Sequence, residues 1–171
     1  MTNSILVLGA ERRGALIQEA LRRIGVPSDI LSPDRAHRSP GLTKGRFVLM
    51  LWPPGARPVL EAEHHAHGDG ALHAWWDLDA AEVGPFVAPW TGPCPACLAA
   101  QAPGPRSGHD PALAAWVAAT VALHVHGLLH HQTTELMGAS VAWSTARPGT
   151  GAVLWPRRAD CAVAGCIDGA N

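Results

Sequence analysis

The sequence predicts an α/β protein built on a mostly parallel sheet flanked by helices. Three observations carry this. The opening stretch SILVLGAERRGALIQEALRRIGVPSDILS sets a strand, a tight turn, a helix and a second strand within about thirty residues, a βαβ unit. RFVLMLW (46–52) is a continuous apolar run bounded by Pro53 and Pro54, the pattern of a strand buried on both faces, as in a parallel sheet. The first βα turn runs from Gly9 to Gly14 and opens the helix directly, which makes the start Rossmann-like.

SILVL (4–8) is apolar and β-prone and ends at Gly9. Ala15, Leu16, Ala20, Leu21 and Ile24 recur at helical spacing, so residues 11–24 form an amphipathic helix closed by Gly25, a favourable residue just past a helix end. SDILS (28–32) is the second strand, followed by Pro33 and Asp34. Residues 35–45 are polar with Gly and Pro and are expected as a loop. After the third strand, 58–68 forms a short helix, HAWWDL (73–78) a strand, and 83–89 an extended segment. His109-Asp110-Pro111 is a helix start, with a capping Asp and Pro at the first helical position. The Ala-, Leu- and Val-rich 109–135 is then one long helix, apolar enough to be buried or to sit at a dimer seam. SVAWST (140–145) and AVLWP (152–156) are two strands around a Gly-Pro turn.

The 171 residues suit one domain, 1–171, and 47% of them are apolar, enough for a core. The net charge of −1 argues against a nucleic-acid partner and against an acidic disordered tail. Lys44 is the only lysine. MTNSILVLGAERRG lacks the basic start of a signal peptide, and no apolar stretch is expected to reach the ~20 residues that cross a bilayer. A cytoplasmic protein with no membrane partner is therefore expected. There a C-x-x-C is metal-binding or redox-active rather than a structural disulfide.

The first turn reads G-A-E-R-R-G. A dinucleotide or ATP site wants a glycine where Glu11 stands, so that backbone approaches phosphate at the helix N-terminus. Gly9, Glu11, Arg12, Arg13 and Gly14 are thus the candidate nucleotide residues, with Asp34, after the second strand, in the place of a ribose ligand. Glu11 adds bulk and negative charge, which Arg12 and Arg13 offset only by turning inward. A turn that has lost its nucleotide is the favoured reading.

Cys94 and Cys97 have the x₂ spacing of a metal pair, and Cys161 with Cys166 form a second, looser pair. Two pairs with no cysteine left over favour a four-sulfur structural zinc site over free thiols or a redox C-x-x-C. Four sulfurs would leave no open coordination position for catalysis. Histidines fall into two groups, His64, His65, His67 and His73, then His124, His126, His130 and His131. His126 and His130 are i and i+4 on one helix face, but without H-E-x-x-H the histidines are read as helix-margin or dimer-seam polar residues. Trp52, Trp75, Trp76 and Trp90 are read as core, with an apolar peptide groove as the alternative. No G-x-S-x-G, P-loop or paired catalytic carboxylates stand out, and no catalytic residue is assigned.

VGPFVAPWTGPCPAC resembles a segment of ThiF-like proteins, the ubiquitin-activating-enzyme-like superfamily. It is closest to their branch in azoline-forming ribosomal peptide (TOMM, bacteriocin) biosynthesis. That branch reads V-G-P-L-V-x-P-G-x-T-P-C-x-x-C, matched here by Val83, Gly84, Pro85, Val87, Pro89, Pro93, Cys94 and Cys97, with Trp90 in place of Gly. WPRRADC resembles the branch's W-P-R-H-P-x-C-x-C at Trp155, Pro156, Arg157 and Cys161, with Cys166 displaced. The resemblance covers most of the chain and implies that the two cysteine pairs hold a structural zinc. Adenylating members need the glycine-rich turn and a longer segment beyond the second strand. Glu11 and the short 34–46 region depart from that pattern, so the resemblance implies a reduced, non-adenylating member. The expected function is a homodimeric scaffold that binds a precursor peptide or a YcaO-type cyclodehydratase. The alternatives are an ATP-dependent adenylyltransferase acting on a peptide or carrier-protein C-terminus, and a plain nucleotide-binding module.

Overall fold

A computed structural model of the chain describes residues 4–101, 104 and 108–167. Seven strands form one sheet in the order β2-β1-β3-β4-β5-β6-β7. They are β1 (Ile5–Leu8), β2 (Ser28–Leu31), β3 (Val48–Met50), β4 (Ala71–Trp76), β5 (Ala80–Val87), β6 (Ala139–Ser144) and β7 (Thr150–Leu154). The helices are α1 (Glu11–Arg23), α2 (Pro33–Arg38), α3 (Pro58–Ala66), α4 (Pro95–Ala99) and α5 (Pro111–His131).

Strand β1 shows how the layers are made. Ile5 and Val7 point into one core with Ile17 and Leu21 of α1, and with Val117 and Val121 of α5. Leu6 and Leu8 point to the other face and pack with Ala36 of α2 and Leu60 of α3. Successive side chains of a strand face opposite ways, so a strand covered on both sides must be apolar throughout. All four β1 residues are buried. A third, smaller cluster joins Val87 and Leu98 of α4 to Trp155, beyond β7.

The α/β architecture holds, but the sheet is mixed rather than mostly parallel. β2, β1, β3 and β4 run parallel, while β5, β6 and β7 are each antiparallel to the preceding strand. The cause is connection length. β4 and β5 are separated by Asp77–Asp79 only, too short for the crossover that a parallel return needs. Asp77 sets that turn, its Oδ1 accepting from the N–H groups of Asp79 and Ala80 at 2.8 Å each. Of residues 83–89, expected merely as extended, 83–87 belong to β5.

The expected 35–45 loop instead contains α2 and a single 3₁₀ turn at Pro40–Leu42. Ser32 caps α2 by accepting from Arg35 N–H at 3.3 Å, and Pro33 takes the first helical position. Helix α5 is capped by Asp110, whose Oδ1 accepts from Leu113 N–H at 2.8 Å. Against expectation, α5 is long and apolar enough, by length and composition, to cross a membrane. Its Leu113, Ala114, Val117, Ala118, Val121, Ala122 and Val125 are buried, most of them in the core beneath the sheet.

Candidate functional site

The four cysteines converge. Cys94 is the N-cap of α4 and Cys97 lies in its first turn, while Cys161 and Cys166 come from the segment after β7. All four sulfurs lie within 4.8 Å of one another, with Cys94 Sγ to Cys161 Sγ and Cys97 Sγ to Cys166 Sγ both at 3.7 Å. A tetrahedral ion with metal–sulfur bonds of about 2.3 Å has sulfur–sulfur edges of about 3.8 Å. The donor set and its spacing therefore fit zinc. Two of the close contacts join one C-x-x-C cysteine to one from the chain's later pair, so an ion here would tie the two segments together.

Backbone amides complete the surroundings. Cys94 N–H donates to Cys166 Sγ at 3.3 Å, and Arg158 N–H donates to Cys97 Sγ at 3.4 Å. Such N–H groups stabilise thiolates and fix ligand orientation. Burial pushes the Cys166 thiol up to about 12 and also raises Cys97, whereas the Val163 amide draws Cys161 down to about 7. A bound dication reverses the penalty on the buried thiols, because metal binding deprotonates them.

The clamp is reinforced from outside. Trp90 N–H donates to Gly165 O at 2.8 Å and Ile167 N–H to Gly92 O at 3.2 Å. Gln101 Nε2 donates to Pro156 O at 2.8 Å, and Arg157 donates to Cys161 O at 2.6 Å. Trp90 has φ of 67°, the left-handed region that favours glycine, and it stands where the resembled pattern carries Gly.

The candidate nucleotide residues lie at the turn into α1 and at the start of α2. Gly9 and Gly14 serve close packing. A Cβ on Gly9 would lie 2.9 Å from Leu51 Cβ, and one on Gly14 would lie 2.8 Å from Ile30 Cγ2. Glu11 is the first residue of α1, so its carboxylate meets the positive end of the helix dipole where a phosphate would otherwise sit. Arg12 is exposed. Arg13 lies over the Trp76 ring at 4.7 Å and donates to Gly108 O at 2.9 Å. Burial lowers its pKa and Asp77 partly restores it. Asp34 belongs to the first turn of α2 and pairs with Arg57 at 3.5 Å.

Arg57 leads to a network that the sequence reading missed. Buried Glu61 accepts from Trp52 Nε1 at 2.8 Å, Gly55 N–H at 2.7 Å and Arg57 N–H at 3.0 Å. This carboxylate folds the β3–α3 loop over the ends of the parallel strands. Its signal was a Glu four residues after Arg57 in a helix opened by Pro58.

Of the tryptophans, Trp52, Trp75 and Trp76 are buried and Trp90 is 70% exposed. A cavity of about 670 Å³ opens on the β5–β7 face, lined by Trp75, Glu82, Gln101, Arg147 and Trp155 among others. Nothing in the sequence spacing marks it.

No protein-family model matches the chain, and no curated protein matches it in sequence. Solved structures do match. The heterocyclase TruD aligns over 96% of this chain and 28% of its own, with a TM-score of 0.70 at 15% identity. MccB of E. coli aligns over 99% of this chain and 67% of its own, at 0.69 and 11% identity. The E. coli microcin synthetase McbBCD complex gives 0.63 over 94% of this chain and 68% of the matched one, at 10% identity. The chain thus spans about a quarter of the length of a heterocyclase, 26% for one solved with substrate and cofactor. At these identities the likeness is one of backbone architecture, and it converges with the resemblance read from the cysteine segments: the chain has the fold shared by heterocyclase TruD and E. coli MccB.

Proposed function

We propose that this chain is a zinc-clamped, non-adenylating scaffold in azoline-type ribosomal peptide maturation. It binds a precursor peptide or a YcaO-type cyclodehydratase and brings one to the other, with the chemistry done on the partner. The fold neighbours support the setting, since two of them are a heterocyclase and a microcin synthetase complex.

One observation carries the non-adenylating part. The phosphate end of α1 is taken by Glu11, Arg13 is engaged by Trp76 and Gly108, and Asp34 is paired with Arg57. Glu11 thus has the wrong charge for a phosphate, and Arg13 and Asp34 are held by other partners. The four sulfurs would hold the zinc and supply a cross-link, not a reactive centre. A cytoplasmic setting keeps them reduced. The outer face of α5, with Leu123 and Leu129 exposed, offers apolar area for a homodimer.

The exposed Arg12 at the start of α1 favours the second reading, an adenylyltransferase with its phosphate held by an arginine. One experiment separates the two. The purified chain is combined with a YcaO-type cyclodehydratase and its precursor peptide, and azoline formation is followed by mass spectrometry, with ATP binding to the chain alone measured by calorimetry. Faster azoline formation with no ATP binding supports the scaffold. Peptide-dependent ATP–pyrophosphate exchange by the chain alone refutes it.

A further inference from the structure

The histidines of α5 make a second arrangement that the clamp does not use. We infer that His126 and His130 form a surface chelating site for a borderline divalent transition-metal ion, distinct from the four cysteines. The two residues are exposed, one helical turn apart, with ring centroids 4.2 Å apart and planes inclined at 48°. Metal–imidazole bonds of about 2.0–2.1 Å place two bound nitrogens roughly 3 Å apart, within reach of rings already this close.

Four other histidines, His64, His73, His109 and His124, are engaged elsewhere. His64 contacts Gly70 O at 3.3 Å, and buried His73 contacts Trp52 O at 3.2 Å. His109 Nδ1 accepts from Trp76 Nε1 at 2.9 Å, and His124 Nδ1 meets Thr134 Oγ1 at 3.3 Å. His131 is adjacent in sequence, but its ring centroid is 6.5 Å from that of His130.

The electrostatics favour a cation there. Helix α5 contains no Lys, Arg, Asp or Glu over its 21 residues, so no fixed charge on the helix itself repels a cation. His130 lies in its last turn, where the negative end of the helix dipole and the last carbonyls stabilise positive charge. Imidazole pairs suit copper, nickel and zinc, and two protein ligands leave coordination positions open to water or to a partner's carboxylate or imidazole.

The test uses untagged full-length protein with its cysteines already loaded with zinc, so that thiolates do not draw the probe. Ni²⁺ alone is titrated by calorimetry. The expected result is one Ni²⁺ per chain, with affinity reduced on the order of tenfold or more by His126→Ala and by His130→Ala, because each removes the intramolecular second ligand. His131→Ala should bind like wild type. All three positions are exposed, and circular dichroism confirms that the helix remains. Undiminished binding in the His126→Ala/His130→Ala double variant, or an equal loss in His131→Ala, overturns the site. So does the absence of any binding by wild type at pH 7.5. The outcome is independent of the scaffold reading, since it needs neither peptide nor cyclodehydratase.

Discussion

Removing the metal from the cysteine clamp should cost the chain about 4 kcal/mol. The ion would join Cys94 to Cys161, 67 residues apart, and Cys97 to Cys166, 69 residues apart. Closing one loop of that size removes unfolded-chain entropy worth about 4 kcal/mol by the relation used for covalent cross-links. For a chain of this length each kcal/mol moves the midpoint of thermal unfolding by roughly 2–4 °C, so a drop of about 10 °C is expected. The perturbation is a strong chelator under reducing conditions, with Cys97→Ser as the genetic counterpart. The assay is thermal unfolding alongside amide hydrogen exchange. Exchange should accelerate in 88–101 and 156–167, which the clamp holds together, and remain slow in β1 and β3, whose residues pack in other core clusters. Protein verified as metal-free that melts within about 2 °C of the loaded form, or that exchanges no faster near α4, would refute the cross-link argument.

Other substitutions test the remaining structure. Glu11→Gly, by freeing the phosphate end of α1, should give ATP binding measurable by calorimetry where wild type shows none. Micromolar binding by wild type would sink the blocked-turn argument. Gly14→Val should destabilise by about 1–3 kcal/mol in urea unfolding, since its side chain would start 2.8 Å from Ile30 Cγ2, whereas Gly41→Ala, with open space around it, should be near neutral. Burial lowers the pKa of His64 and His73, so both are neutral in the folded chain. Their contribution is fully present above the unfolded histidine pKa of about 6.5 and is lost as pH falls below it. The expected slope approaches ~1.4 kcal/mol per pH unit per histidine. Urea melts of metal-free protein at pH 7.5, 6.0 and 5.0 measure it, and a flat profile would mean that neither imidazole is desolvated.

Much of the architecture was legible because burial on two faces leaves a mark. β1 and β3 are apolar at every position, and α1 repeats its apolar residues at helical spacing, so their kinds could be read directly. Helix α2 was overlooked because its polar composition outweighed Ser32 and Pro33, the two residues that start it. The antiparallel half of the sheet was missed for a different reason. Strand direction depends on what links strands, and the Asp77 turn was not recognised as a hairpin. Among site residues, the cysteines were legible because a metal needs matched pairs, and the structure does bring them together. The nucleotide turn was legible only in part. Glu11 could be weighed from sequence, but the diversion of Arg13 to Trp76 and of Asp34 to Arg57 depends on residues far along the chain. The β5–β7 cavity had no signal, because its lining comes from four separate stretches that only the sheet aligns.

The clamp also bears on how the chain is made. Cys94 and Cys166 are 72 residues apart. At a synthesis rate of about 5–20 residues per second, Cys94 is made roughly 4–14 seconds before Cys166. During that interval Cys94 and Cys97 form a bidentate thiol pair without its complement, open to oxidation or to capture by a soft metal. Nascent chains stalled between the two pairs should therefore hold zinc weakly and exchange it freely. Retention would begin only once Cys161 and Cys166 have emerged, so the yield of folded protein would then depend on metal supply and thiol reduction during translation.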